Sequence, residues 1–289
     1  MKTEETLRRA CSAEFMGTFV LVFFGVGVVH TALLSETHAG LGLVALVWGV
    51  AVALAIYTAG AISGAHLNPA MTLAFTAFRG FPRRRVAPYL LAQLAGAFCA
   101  AALLYGLFHG VIERFERAHG LVRGCPGSVL SAMVYGEYFP NPGLVAAGLL
   151  ANGDVTLWQA MLGEGVGAAL LALFVFALTD RANAAGPGGA LLPVCIGLAL
   201  ALNISIIAPL TQAGFNPARD FGPRLFSWFA GWGSVAIPGP RGGFFTVYIL
   251  APCVGALGGA AVYQVLLARQ RPAPEPAPGL QSAPGDAAP

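Results

Sequence analysis

Six stretches of the chain, residues 10–34, 42–60, 86–110, 157–179, 191–208 and 244–268, are apolar over about the 20 residues that one helix needs to cross a bilayer. Soluble chains carry roughly a quarter charged residues because their surface faces water. Here only 10% are charged and 57% are hydrophobic, so most of the surface must face lipid. The 289 residues therefore read as one all-α membrane domain over about 10–270, preceded by a short N-terminal segment, 1–9. Lys2, Arg8 and Arg9 before an apolar run resemble a signal peptide, but the run from 15 to 34 is long enough to span, which predicts a retained helix.

The net charge of +3 and the lack of a basic stripe argue against nucleic acid as a partner and leave membrane lipids. Five cysteines stand singly, without the spacing of a zinc site, and no cofactor is implied. Ten of the sixteen Lys and Arg fall in the N-terminus, the 79–85 segment, at Arg181, and at Arg269 and Arg271. By the positive-inside rule this predicts that both termini of the multi-pass protein are cytoplasmic, and the membrane is expected to be the cell's inner (plasma) membrane.

Two further apolar pieces, 67–78 and 217–229, are only half a membrane thick, and each opens on Asn-Pro-Ala: Asn68-Pro69-Ala70 and Asn216-Pro217-Ala218. Glu14 precedes Asn68 by 54 residues and Glu164 precedes Asn216 by 52, so the chain repeats itself, over about 10–112 and 156–270. Three spans per unit force opposite insertion of the second unit, an inverted repeat with two re-entrant half-helices. The linker 113–155 reads as an extracellular loop, and the tail 271–289, with six prolines, as disordered.

Asn caps a helix and Pro suits its first position, so each Asn-Pro-Ala starts a helix. Helices that begin at membrane depth require a protein-buried or aqueous setting, and two of them imply a cavity. Inversion brings both positive N-termini to the midplane, where cations are repelled and the Asn68 and Asn216 amides offer N–H donors to a passing oxygen. The small-residue approaches predict lumen-facing carbonyls at Gly64, Ala65, His66, Gln212 and Gly214. Arg219, a permanent cation in a short apolar helix, is expected to line the same path. Glu14 and Glu164 have no titratable chain around them and are expected to hold backbone N–H groups of the re-entrant loops.

With SGAHLNPA in the first half and NPARDFGPR in the second, the chain resembles the major intrinsic protein (aquaporin) family over residues of about 8–268. Residues 13–18, 24–27, 96–103, 138–142 and 216–223 look like bacterial glycerol facilitators, and Asp220 after the arginine is the mark of that branch, with Arg224 in reach at i+4. The resemblance implies a homotetramer with one pore per subunit and places Trp48 as the aromatic wall of the selectivity filter. It makes Ile204, Ala213 and Arg219 the other filter residues. Ile204 and Ala213 depart from the facilitator pattern of glycine and an aromatic ring, and the set is similar to that of the plant nodulin-26-like branch.

The expected function is a passive channel for glycerol, water and other small neutral solutes that excludes protons and ions. The alternatives are a pore mainly for water, or for metalloids, urea or ammonia, and a coupled secondary transporter, since broken helices in inverted repeats also build those. An intramembrane enzyme has only Ser63 beside His66 to recommend it.

Overall fold

The computed structural model describes residues 2–35 and 40–268, so the proline-rich tail lies outside the described residues. The elements are α1 (Lys2–Leu34), α2 (Leu41–Ser63), α3 (Pro69–Phe78), α4 (Val86–Ala118), the short α5 (Val129–Ala132) and α6 (Pro142–Ala146), α7 (Leu157–Leu178), α8 (Leu192–Thr211), α9 (Pro217–Ser227) and α10 (Ala251–Ala261). Turns of π-helix at Thr246–Leu250 and Val262–Leu267 extend α10 into one crossing. Among the described residues there is no strand, and six helices are long and apolar enough to span a bilayer. The two helices opened by Asn-Pro-Ala, the apolar α3 and the more polar α9, are half that length, as those openings predict.

Exchanging the two halves of the chain preserves the pattern of helix pairing. Helix α1 packs on α2 and α4 as α7 packs on α8 and the last crossing, and α2 meets its counterpart α8. The half-helices change sides: α3 rests on α10 and α9 on α4, so each half supports the other's short helix. In lipid, apolar burial gives no preference for helix over acyl chain, and close approach of backbones holds helices together instead. At the centre of the α2–α8 contact, a Cβ on Gly49 would stand 2.6 Å from the carbonyl oxygen of Gly197. Gly96 lies against the Phe15 backbone, and its counterpart Gly255 against that of Gly165. The outward faces carry exposed Leu46, Val50 and Leu54 on α2 and Leu198, Leu202 and Ile206 on α8, apolar surface suited to lipid.

Two boundaries differ from the hydropathy reading. Helix α1 starts at Lys2 rather than near residue 10, and α4 runs on to Ala118 rather than ending near 110. Past residue 110 the helix is amphipathic, burying Ile112, Phe115 and Glu116 while Arg114 and Arg117 are exposed. Apolar length measures only the lipid-embedded part, and helix propagation does not stop there. The link between the halves therefore starts beyond Ala118. It contains α5 and α6, and residues 131–140 are buried without a break. It folds back into the protein, and its buried backbone draws on partners in the second half.

Candidate permeation site

Both re-entrant loops are built from the same backbone solution. Helix α2 ends on Gly64 at φ 88° and α8 on Gln212 at φ 65°, each closing the helix by an N–H bond to the carbonyl four residues back. Ala65, Leu67, Ala213 and Phe215 are also left-handed, so each loop repeats the pattern at the same spacing. A left-handed non-glycine residue costs on the order of 1–3 kcal/mol, and surrounding structure must hold it.

Two buried carboxylates supply that hold. Glu14 accepts from the backbone N–H groups of His66 and Leu67, both at 2.8 Å, from Ser63 Oγ at 2.7 Å and from Gln93 Nε2 at 2.7 Å. Glu164 accepts from Gly214 N at 2.9 Å, Phe215 N at 2.7 Å and Thr211 Oγ1 at 2.6 Å. The tyrosine hydroxyls of Tyr89 and Tyr248 then bind the equivalent carbonyls of Ser63 and Thr211. Ser63 is thereby engaged with Glu14, while His66 Nδ1 lies 3.1 Å from Thr72 Oγ1, so the two residues do not form a nucleophile–base pair.

At the meeting point, Asn68 Oδ1 accepts from Ala70 N, and Asn216 Oδ1 accepts from Ala218 N and Arg219 N, capping α3 and α9. The other ends cross over: Asn68 Nδ2 donates to the Phe215 carbonyl at 2.9 Å and Asn216 Nδ2 to the Leu67 carbonyl at 2.8 Å. This clasp brings the two N-termini together and spends one of each amide's two N–H groups. Both asparagines line a cavity of about 400 Å³. Pro69, Ala70, Pro217 and Ala218 are buried in the first turns of the half-helices.

The cavity gathers most of the residues that the sequence singles out. Gly64, Ala65 and His66 from one loop line it, as do Ala213 and Gly214 from the other, with Trp48, Ile204 and Arg219. Gln212 is expected to contribute its backbone carbonyl, and its side chain serves another purpose. As the left-handed cap of α8 its side chain turns to the linker, accepting from Tyr138 N at 2.9 Å and donating to the Met133 carbonyl at 3.1 Å.

Trp48, Val52 and Ile56 on α2 and Ile196, Leu200 and Ile204 on α8 line the cavity as two matching stripes at i, i+4, i+8, an apolar side opposite the loops. That periodicity is present in the sequence but hidden, because the lipid-facing positions are equally apolar. Room for the indole comes from α1, where a Cβ on Gly25 would overlap the Trp48 ring.

Arg219 is almost fully buried, with its guanidinium carbon 4.1 Å from the Trp48 ring centroid, a cation–π distance. It forms an ion pair with Glu137 of the linker. Loss of water raises the Glu137 carboxyl pKa well above its ordinary value, and the Arg219 charge opposes that rise. Asp220 stands behind the wall, bonding Arg224 through Nε at 2.9 Å and through NH2 at 2.8 Å, and accepting from Glu137 N at 2.8 Å. Arg224 continues to the carbonyls of Ala236, at 2.9 Å, and Glu137.

Residues 1–263 match the family model described as major intrinsic protein. The glycerol uptake facilitator protein of Shigella flexneri is 43% identical over 94% of this chain and 92% of its own length. That of Pseudomonas aeruginosa is 44% identical, covering 91% of this chain and 90% of its own. The propanediol uptake facilitator of Citrobacter freundii is 42% identical, covering 93% and 95%. Among solved structures, the aquaglyceroporin from Plasmodium falciparum superposes with a TM-score of 0.76 at 25% identity, over 91% of this chain and 98% of that one. With a fold of six crossings and two clasped half-helices, and with a match along nearly its whole length, this chain belongs to the major intrinsic protein family.

Proposed function

We propose that the protein is a passive channel through which glycerol and other small uncharged solutes cross the membrane together with water, while protons and ions are turned back. The observation that carries this reading is the cavity at whose waist the α3 and α9 N-termini meet through Asn68 and Asn216. Two helix dipoles aimed at one point disfavour a cation, and the remaining amide N–H groups orient each passing oxygen as an acceptor, which interrupts a proton wire. A polyol has hydroxyls along one side and carbons along the other. The cavity offers Arg219 and the loop backbone to the first, and the stripe from Trp48 to Ile56 with its α8 counterpart to the second.

Relatives named for uptake of glycerol and propanediol support this solute class. Passive rather than coupled transport is supported by the two membrane-embedded glutamates, whose oxygens are occupied by loop donors. Trp48, Ile204, Ala213 and Arg219 act as the filter. As the family resemblance implies, the assembly is a homotetramer; it sits in the plasma membrane with both termini cytoplasmic, a topology supported by the even number of crossings and the basic bias of one side.

Stopped-flow light scattering of proteoliposomes, with water, glycerol, 1,2-propanediol and urea in turn, tests the reading. Glycerol flux well above that of protein-free vesicles, unaffected by collapsing proton or sodium gradients, is the expected result. Water flux without glycerol flux rejects glycerol as the solute, and gradient-driven accumulation rejects a passive pore.

A further inference from the structure

The linker supplies a residue to the filter from outside the cavity. Glu137 is fully buried, its carboxylate is ion-paired with the Arg219 guanidinium, and it is absent from the cavity lining that includes Arg219, Trp48 and Gly214. Space for the carboxylate is provided by Gly214 of the second re-entrant loop, where a Cβ would overlap Glu137 Oε2. The backbone of residue 137 is fixed independently of its side chain, with its N–H on Asp220 Oδ1 at 2.8 Å and its carbonyl on Arg224. Nothing in the linker's own folding therefore requires an acid at this position.

We propose that Glu137 is a specificity-determining residue of the channel: paired with Arg219 on the side away from the solute, it fixes which edge of the guanidinium faces the lumen and offsets its charge. The proposal deepens the glycerol-channel reading and rests on it. A guanidinium has five N–H donors in a rigid fork. Glu137 takes one part of that fork and Trp48 covers a face, so the donors left for the solute have one orientation. Without the carboxylate, a buried cation has no counter-charge and turns to the remaining acceptors, which are the solute and water in the lumen. The polyol, needing both width and a matched donor edge, then suffers more than water.

Glu137→Gln keeps the shape and removes the charge. In full-length protein reconstituted in proteoliposomes, it is expected to lower the ratio of glycerol to water permeability at least about threefold, less than a tenfold change in relative rate. In an Arg219→Val background the same substitution is expected to leave the ratio unchanged, because a coupling that runs through Arg219 vanishes with it. Gly214→Ala reaches the same pair by a second route, keeping both charges while its Cβ displaces the Glu137 carboxylate, which it overlaps, whereas Glu164 Oε2 stands 3.2 Å away, and is expected to lower the ratio in the same direction. It also serves if Glu137→Gln does not assemble.

A wild-type ratio in Glu137→Gln or in Gly214→Ala overturns the proposal. So does an equal loss in the Arg219→Val background, which marks a structural effect independent of the arginine. Wild-type protein that passes no glycerol above empty vesicles is a different result, since it removes the channel reading itself.

Discussion

Gly25 and Trp48 share one volume: the indole occupies the place where a β-carbon on residue 25 would stand. The position of the Trp48 ring in the cavity wall is thus set by a missing methyl group on the first helix. Gly25→Ala is expected to push the ring toward the lumen and cut glycerol permeability about tenfold, equivalent to roughly 1.4 kcal/mol, with a smaller loss for water. Stopped-flow rates for both solutes check it. Equal losses, or none, would show that Trp48 does not set the width.

Arg219→Val removes the cation stacked on Trp48 and is expected to open the proposed filter. Water and glycerol fluxes should rise or hold, while the barrier to protons falls, because among the described residues no other Lys or Arg lines the cavity and the two half-helix N-termini are left to repel a cation. A pH-sensitive dye trapped in proteoliposomes reports the leak. An unchanged proton rate places the whole barrier at the Asn68–Asn216 clasp.

At residue 213 the lumen is lined by a methyl group. Ala213→Phe is expected to slow five-carbon polyols before glycerol and glycerol before water. A series of polyols of rising length in one vesicle preparation checks the order, and a uniform decrease would mean that residue 213 is not at the narrowest point.

Glu14 and Glu164 make the same bonds but not the same number. Each oxygen of Glu14 accepts from two donors, whereas Glu164 Oε2 receives Phe215 N. Glutamine in place of either puts an NH2 group against backbone donors. Hydrogen bonds to a charged group contribute about 1.5–3 kcal/mol each, so Glu14→Gln is expected to cost about 3–5 kcal/mol and Glu164→Gln about 2–3. Thermal unfolding in detergent, followed by tryptophan fluorescence, should rank them in that order. The reverse ranking would count against the bond inventory as the source of loop stability.

Much of this arrangement was legible in the sequence because it depends on local chemistry and on spacing. Asn-Pro-Ala favours the start of a helix, and two copies at matching distances from Glu14 and Glu164 leave little freedom in how the halves face each other. The pairing of Asp220 with Arg224 follows from one helical turn. Glu137 was not legible. It is 82 residues from Arg219, in a segment without helical period, and only the return of the linker into the protein brings the two side chains together. The Gln212 side chain was not legible either. Loop composition predicts an exposed carbonyl path, but not that the side chain of one member of the loop reaches outward to residues 133 and 138.

The clasp of Asn68 on Phe215 and Asn216 on Leu67 has a consequence for how such a protein is made. A nascent chain whose first three crossings are already in the bilayer owns only half of the waist, and its α3 has neither the opposing carbonyl nor the α10 surface on which to rest. No finished conduit exists until the final third has been threaded, so a ribosome can deliver this polypeptide into a working membrane without leaking it.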